Sequence, residues 1–383
     1  MSQSKHRVSY RRVLVRGVNW LGDAVMTTPA LQRLRQALPG CHISLLTHEK
    51  LADLWTHHPS LDAILQFKED ESLMSMAGRI RQGKFDAALV FPNSPRSALE
   101  VWLAGVPERI GHARPWRNFC LTRRVADRAQ GLKMRKRSPD EIRDLISSDA
   151  ASSKPKLAPI SAMAHQIHEY LHLAEALGAS SEPMPPLIAA TRQELQKAAE
   201  RFGLNARPPL FGLNAGAEYG PAKRWPLDRF IAAAVEIQKR TDCRWIIFGG
   251  PKEKILGGEI AHGIMKGAGE NVSEKAPGVI NLAGKTTLRE LCLLLKLCRV
   301  LLTNDSGPMH VAAAVGTPVV VPFGSTSPEL TGPGLPGDTR HQVLSAQVPC
   351  APCFLRVCPI DMRCMTGIGI SQVVEAAVQA AKS

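Results

Sequence analysis

Short apolar runs alternate with amphipathic stretches along most of this chain, and the alternation predicts repeated strand–helix units. Arg12–Gly17, His42–Thr47, Ala63–Phe67 and Phe85–Phe91 read as strands. Asp23–Ala37, Leu51–His57, Glu71–Gln82 and Arg96–Ala104 read as the helices that follow them. The second half repeats the scheme. Thr191-x-x-Glu194 is a capping box opening a helix to Phe202, and the helices Leu227–Arg240 and Leu288–Leu297 alternate with strands at Leu210–Asn214, Trp245–Phe248 and Val300–Leu302. Strands separated by helices, rather than by hairpin turns, imply doubly wound parallel sheets, so the fold class is α/β.

Three stretches break the pattern. Residues Arg109–Arg137 carry ten Lys or Arg against one acid, Asp127, and read as an irregular basic segment. Ser147–Pro159 is rich in Ser, Lys and Pro and reads as loosely ordered. Ser180–Pro186 holds three prolines and is the best linker candidate. The expected division is therefore an N-terminal Rossmann-like domain over 1–183, a C-terminal one over 184–368, and a last helix over 369–383 packing back on the N-terminal domain. The two αβ halves would leave one cleft between their sheets.

Composition narrows the classes of function. With 383 residues, two domains of ordinary size are natural. The chain has 48 basic against 34 acidic residues, a net charge of +14, which implies an anionic partner. Only 5% of residues are aromatic, so the stacking surfaces of a nucleic-acid binder are poorly supplied and no nucleic acid is expected. No apolar tract reaches the roughly 20 residues of a spanning helix, and the first residues lack a secretory h-region. A cytoplasmic protein touching a membrane from the side is expected.

Three strand-end loops carry chemistry. Thr303-Asn304-Asp305-Ser306-Gly307-Pro308-Met309-His310 follows the strand Val300–Leu302 and opens a small-residue helix. Such a helix start offers free N–H groups to a diphosphate, and ligands of βαβ units sit at strand carboxyl ends. Capping accounts for Asp305 or Ser306 alone, but not for His310 on the same helical face. Gly216-Ala217-Glu218-Tyr219-Gly220-Pro221-Ala222-Lys223-Arg224-Trp225 is a Gly-rich loop ending in paired cations, with Lys223 placed to neutralise leaving-group charge. Glu253, after Phe248-Gly249-Gly250-Pro251-Lys252, is placed to meet a ribose or base edge. In Gly17-Val18-Asn19-Trp20-Leu21-Gly22-Asp23 the acid excludes a phosphate loop; Asp23 fits either a general base or a helix N-cap.

Two clusters invite a metal reading. Cys350, Cys353, Cys358 and Cys364 lie within fifteen residues, but their spacing is irregular for a zinc ribbon, so a loop of reduced thiols is the expectation and a structural metal the alternative. His165, His168 and His172 share a helix face, but no carboxylate or Cys of suitable spacing joins them. No Asp-x-Asp signature stands at a strand end, so catalysis is not expected to depend on a metal or other cofactor.

Taken in order, Asn19-Trp20-Leu21-Gly22-Asp23, Gly216–Pro226 and Asn304–His310 resemble the lipopolysaccharide heptosyltransferase family, over nearly the whole chain. The tail from Cys350-Ala351-Pro352-Cys353 to Arg363-Cys364-Met365 is similar to the heptosyltransferase II branch. The resemblance implies the GT-B fold, two Rossmann-like domains with the acceptor side N-terminal. It implies inverting transfer of heptose from an ADP-heptose donor to the inner core of lipopolysaccharide at an anionic membrane surface. Asp23 would be the catalytic base. Lys223 would contact the donor phosphates, Gly216, Asp305, Ser306, Gly307 and His310 would line the diphosphate and heptose, and Glu253 the nucleoside. Arg123, Arg124 and Arg128 of the basic segment would meet the acidic acceptor. Pro308 stands where the family more usually has Leu, and Lys133–Pro159 is longer than a compact acceptor loop; both bear on the acceptor. A heptosyltransferase I type of acceptor, another nucleotide sugar, and a non-catalytic nucleotide-sugar or polyanion binder are the alternatives.

Overall fold

The computed structural model describes residues 10–132, 134–149, 160–204, 208–268 and 278–382. Contacts divide it into two units: Met1–Gly131 with Gln166–Ala189, and Leu132–His165 with Ala190–Ser383. The first unit contains β1 (Arg12–Arg16), β2 (His42–His48), β3 (Ala63–Phe67), β4 (Ala87–Val90), β5 (Glu108–His112) and β6 (Arg123–Val125). Its helices are α1 (Leu21–Met26), α2 (Thr28–Ala37), α3 (Leu73–Gln82) and α4 (Pro95–Leu103). Helix α5 (Pro139–Asp149) belongs to the second unit and α6 (Ile167–Glu175) again to the first. The second unit continues with α7 (Arg192–Arg201), β7 (Leu210–Asn214), α8 (Leu227–Thr241), β8 (Arg244–Ile247), α9 (Lys254–Ala268) and β9 (Val279–Asn281). It is completed by α10 (Leu288–Leu297), β10 (Val300–Thr303), α11 (Gly307–Val315), β11 (Val319–Phe323), α12 (Pro328–Thr331), β12 (Gln342–Ser345), α13 (Arg363–Thr366) and α14 (Ile370–Ala380).

Both sheets are six-stranded and parallel, in the orders β3-β2-β1-β4-β5-β6 and β12-β11-β10-β7-β8-β9. Counted within each unit, both are the doubly wound order 3-2-1-4-5-6. The strand order reverses between β1 and β4 in one sheet and between β7 and β10 in the other, and the crevice at the carboxyl ends there is where such sheets bind ligands. The strands are apolar on both faces because helices cover both. Val13, Leu14 and Val15 are fully buried, as are Leu301, Leu302, Val319, Val320 and Val321. The alternation therefore reads directly as two GT-B-type Rossmann halves.

Several expectations need correction. The helix expected over Asp23–Ala37 breaks at Thr27. Pro29 has no N–H to continue the ladder, and the Thr27 and Thr28 hydroxyls donate instead to the carbonyls of Ala24 and Val25, at 2.7 and 2.8 Å. Leu51–His57 is a 3-10 turn over Glu49–Trp55. The basic segment is not irregular: it holds β5 and β6, with Ile110 paired to Arg123 and Gly111 to Arg124. Its cations are largely used on the chain itself. Arg109 donates to the carbonyls of Cys120 and Val106, and the fully buried Arg117 donates to those of Pro92 and His112 and to the Asn93 side chain. Charge disguised two short strands.

The domain limits also move. The Pro-rich stretch at 180–186 is no linker; Arg33 donates to Glu182 O and Gln32 to Pro185 O, which ties it to α2. Residues 132–165 belong to the second unit because Arg137 N donates to Cys353 O and Ile142 of α5 packs on Cys350 and Cys353. The rest of the Ser/Lys/Pro stretch, from 150 to 159, lies outside the described residues, as does Lys133. Helix α14, expected on the N-terminal domain, packs on α8, β11 and β12 of the second unit instead. Its Val373, Val374, Ala376 and Ala377 join Trp225, Phe230, Ala234 and Ile237 in one core, a stripe that could close only where an apolar face awaited it.

Candidate active site

In the first unit, β1 delivers the turn Gly17–Trp20 to the switch point, and α1 begins at Leu21. The turn is held from below. Arg16 Nε is paired to Glu100 Oε2 at 2.8 Å, both side chains almost wholly buried, and Arg16 Nη1 donates to Gly17 O at 2.6 Å and Asn19 Oδ1 at 3.1 Å. A buried carboxylate satisfied by a guanidinium is stable only in good geometry, and here it fixes the loop that carries Asp23. Asp23 is not the cap of α1. The N-cap is Trp20, and Asp23 lies within the first helical turn, half-buried. Its Oδ1 accepts from Gln166 Nε2 at 2.9 Å. The capping alternative for Asp23 is thereby removed.

In the second unit, the loops after β7 and β10 meet at the other switch point. Asn304 Oδ1 accepts from Trp225 N at 2.9 Å and its Nδ2 donates to Ala215 O at 2.7 Å, so one side chain staples the two loops together. Asn214 Nδ2 donates to Thr303 Oγ1 at 3.2 Å and Ser306 Oγ at 3.3 Å. Ser306 is the N-cap residue of α11 by position, but its side chain makes no capping bond, so the N–H groups of that helix start are not spent on it. Lys223 Nζ is paired to Asp305 Oδ2 at 2.6 Å, and Thr326 Oγ1 donates to the same oxygen at 2.5 Å. Asp305 and His310 are buried, and burial holds the His310 imidazole down to about 4, hence neutral at ordinary pH.

Glu253 caps its own turn, accepting from Gly250 N at 2.7 Å, and its carboxylate lies against Gly216. A Cβ on Gly216 would stand 1.7 Å from Glu253 Oε1, so only glycine allows this approach. The far side of the loop rests on the Cys-rich tail. Tyr219 Oη donates to Phe354 O at 2.7 Å, Ala222 N to Arg356 O at 3.0 Å, and Trp225 Nε1 to Ile368 O at 3.2 Å. Gly220 has φ +154°, and a Cβ there would meet Arg356 O at 2.5 Å.

The expected donor residues Gly216, Lys223, Glu253, Asp305, Ser306, Gly307 and His310 thus lie on adjoining loops of one unit. The three arginines of the expected acceptor set are less alike. Arg128 has a largely covered side chain paired to Glu169 at 3.3 Å, whereas Arg123 and Arg124 are exposed, Arg123 bonding Ala176 O and lying 3.6 Å from Glu108. Asn214, Asn304, Thr326 and Gln166 escaped the sequence reading. Asn214 ends β7 and Asn304 directly follows β10, a usable signal; Thr326 and Gln166 offered none. Cys350, Cys353, Cys358 and Cys364 line one small cavity with Ile142, Ala222 and Ser325, and burial raises the Cys364 thiol to about 12. Among the described residues no group of three or more His, Cys, Asp or Glu is arranged to hold a metal ion. His165 accordingly turns to Gly332 O at 3.2 Å, and His172 to Glu175 at 2.8 Å.

Two six-stranded doubly wound parallel sheets are the architecture of the GT-B type. The chain belongs to glycosyltransferase family 9 (heptosyltransferase), whose model matches residues 73–363, and it is a glycosyltransferase. It is 28% identical over 335 residues to lipopolysaccharide heptosyltransferase 2 of Escherichia coli K12, covering 84% of this chain and 85% of that one. Its fold matches the structure of E. coli ADP-heptose lipopolysaccharide heptosyltransferase II with a TM-score of 0.73, at 24% identity over 97% of this chain and 98% of that one. A family 9 glycosyltransferase of Veillonella parvula matches equally, with a TM-score of 0.73 at 24% identity and 98% of both chains.

Proposed function

We propose that this protein is an inverting heptosyltransferase of type II, moving heptose from ADP-heptose to the inner core of lipopolysaccharide without a cofactor. The observation that carries the reading is the convergence of Lys223, Asp305 and the start of α11 at the switch point of the second unit. Lys223 and the N–H groups of α11 take the diphosphate, whose charge grows as the glycosidic bond breaks. Glu253, held against Gly216, accepts from the ribose. Asp23 takes the proton of the acceptor hydroxyl as that oxygen attacks the anomeric carbon. The relatives named heptosyltransferase 2 and heptosyltransferase II favour type II over type I.

Calorimetry tests the donor half. ADP is expected to bind more tightly than UDP or GDP, and Gly216→Ala to weaken ADP binding at least tenfold by displacing Glu253. Equal affinity for the three diphosphates, or an unaffected Gly216→Ala variant, removes the assignment. Transfer of heptose from ADP-heptose to a core with one heptose, but not to one with none, tests the acceptor.

The acceptor is anchored in a membrane, and among the described residues no helix is long and apolar enough to cross one. Contact from the cytoplasmic side is assigned to the first unit, where Trp102, Trp116 and Phe119 are exposed. The Trp102 and Phe119 rings meet edge-on at 6.2 Å. Exposed aromatics with Arg124 nearby in sequence suit a partly anionic interface. The double variant Trp102→Ser, Phe119→Ser is expected to lower co-sedimentation with phosphatidylglycerol vesicles severalfold and to leave ADP binding intact. Unchanged co-sedimentation would discard this face.

A further inference from the structure

Gln166 stands one residue ahead of α6 and ties that helix to the turn that follows β1. Its Nε2 donates to Asp23 Oδ1 and to Tyr170 Oη, both at 2.9 Å. A carboxylate only accepts, so the amide must present its nitrogen here, and its two N–H groups are divided between the two oxygens. Tyr170 is the fixed end of this arrangement. It is buried, its ring packs edge-on against Phe91 just after β4 at 5.3 Å, and burial, with Asp23 second, pushes its phenol well above the usual range. It stays neutral and accepts the Gln166 N–H without competing charge.

Two charged groups of these elements have partners of their own. Glu169 of α6 faces Tyr170 but is paired to Arg128 at 3.3 Å, and Arg16 beneath the turn is paired to Glu100. Gln166, at the start of α6, brings a neutral amide donor to Asp23.

We infer that Gln166 is a positioning residue for Asp23, with Tyr170 as its anchor, in addition to the residues assigned above. The inference rests on the reading of Asp23 as the base. An amide donor orients the carboxylate and favours its ionised form, yet depresses its basicity less than an ion pair with Lys or Arg does.

The test is steady-state transfer across pH for Gln166→Leu, Gln166→Glu and Tyr170→Phe, with Asp23→Asn in parallel. Gln166→Leu is expected to lower kcat by about ten- to a hundredfold, the effect of losing orientation, with the donor KM unchanged. Its acid limb should move up by about half to one pH unit, because a bond to the ionised carboxylate is lost. Tyr170→Phe keeps the ring packing and should shift the limb less, in the same direction. Gln166→Glu keeps the shape and should raise the limb furthest, since two carboxylates then share one site. A merely structural glutamine would alter thermal stability without moving the limb. Near-normal turnover in Asp23→Asn overturns the base reading itself. An inactive Asp23→Asn beside Gln166 variants with wild-type kcat and acid limb overturns the positioning role and leaves the base reading standing.

Discussion

Asp23→Asn is expected to bind ADP as the parent does and to turn over about two to four orders of magnitude more slowly, the usual worth of a general base. The selectivity of the effect follows from where the residue is. Asp23 lies in the first helical turn after β1, whereas every residue assigned to the donor belongs to the second unit. Asparagine keeps the size of the side chain and the helix, but it cannot take a proton. Tyr170, joined to Asp23 through Gln166, is held protonated and does not replace it. Turnover and calorimetry on the same preparation check the result. Turnover within a fewfold of the parent would reduce Asp23 to a residue of α1 with no part in the chemistry.

Lys223→Met is expected to raise the donor KM and to lower kcat by about two to three orders of magnitude, as when a preorganised group facing developing charge is removed. A second effect is mixed in. Lys223 is the cation paired to the buried Asp305, and removing one partner of such a pair costs about 3–5 kcal/mol. Thermal unfolding should therefore show a clear loss of stability. The double variant Lys223→Met, Asp305→Asn separates the two, because it removes the orphaned charge while Thr326 retains an acceptor. Recovery of stability without recovery of kcat assigns Lys223 to the leaving group. Recovery of both would make the pair a structural strut.

The strands were legible because they are apolar on both faces and short. Val13–Val15 and Val319–Val321 have no polar position that would fit a surface helix. The segments missed share a physical reason. In β5 and β6 arginine side chains satisfy backbone carbonyls far along the chain, so a run of charge concealed a sheet edge. The partner of α14 was invisible because its stripe of Val and Ala fits any apolar face, and only the apolar face of α8 with Phe230, Ala234 and Ile237 chooses among them. Within the candidate site, Lys223, Asp305 and Gly216 announced themselves by residue type at a strand end. Thr326 and Gln166 became visible only when a sequence separation of 21 residues in one case and 143 in the other closed in space.

The floor of the donor loop has a consequence for synthesis. Tyr219, Ala222 and Trp225 donate their hydrogen bonds to the carbonyls of Phe354, Arg356 and Ile368, more than a hundred residues further along the chain. A ribosome adding roughly 5–20 residues per second leaves the loop without that floor for roughly seven to thirty seconds after its own residues have emerged. In the last part of that interval, once His310 has been made, a nascent chain owns every residue assigned to ADP-heptose but no rigid surface to bind it on. Nucleotide-sugar binding should therefore switch on late and abruptly in translation, so that prematurely released chains do not sequester the donor.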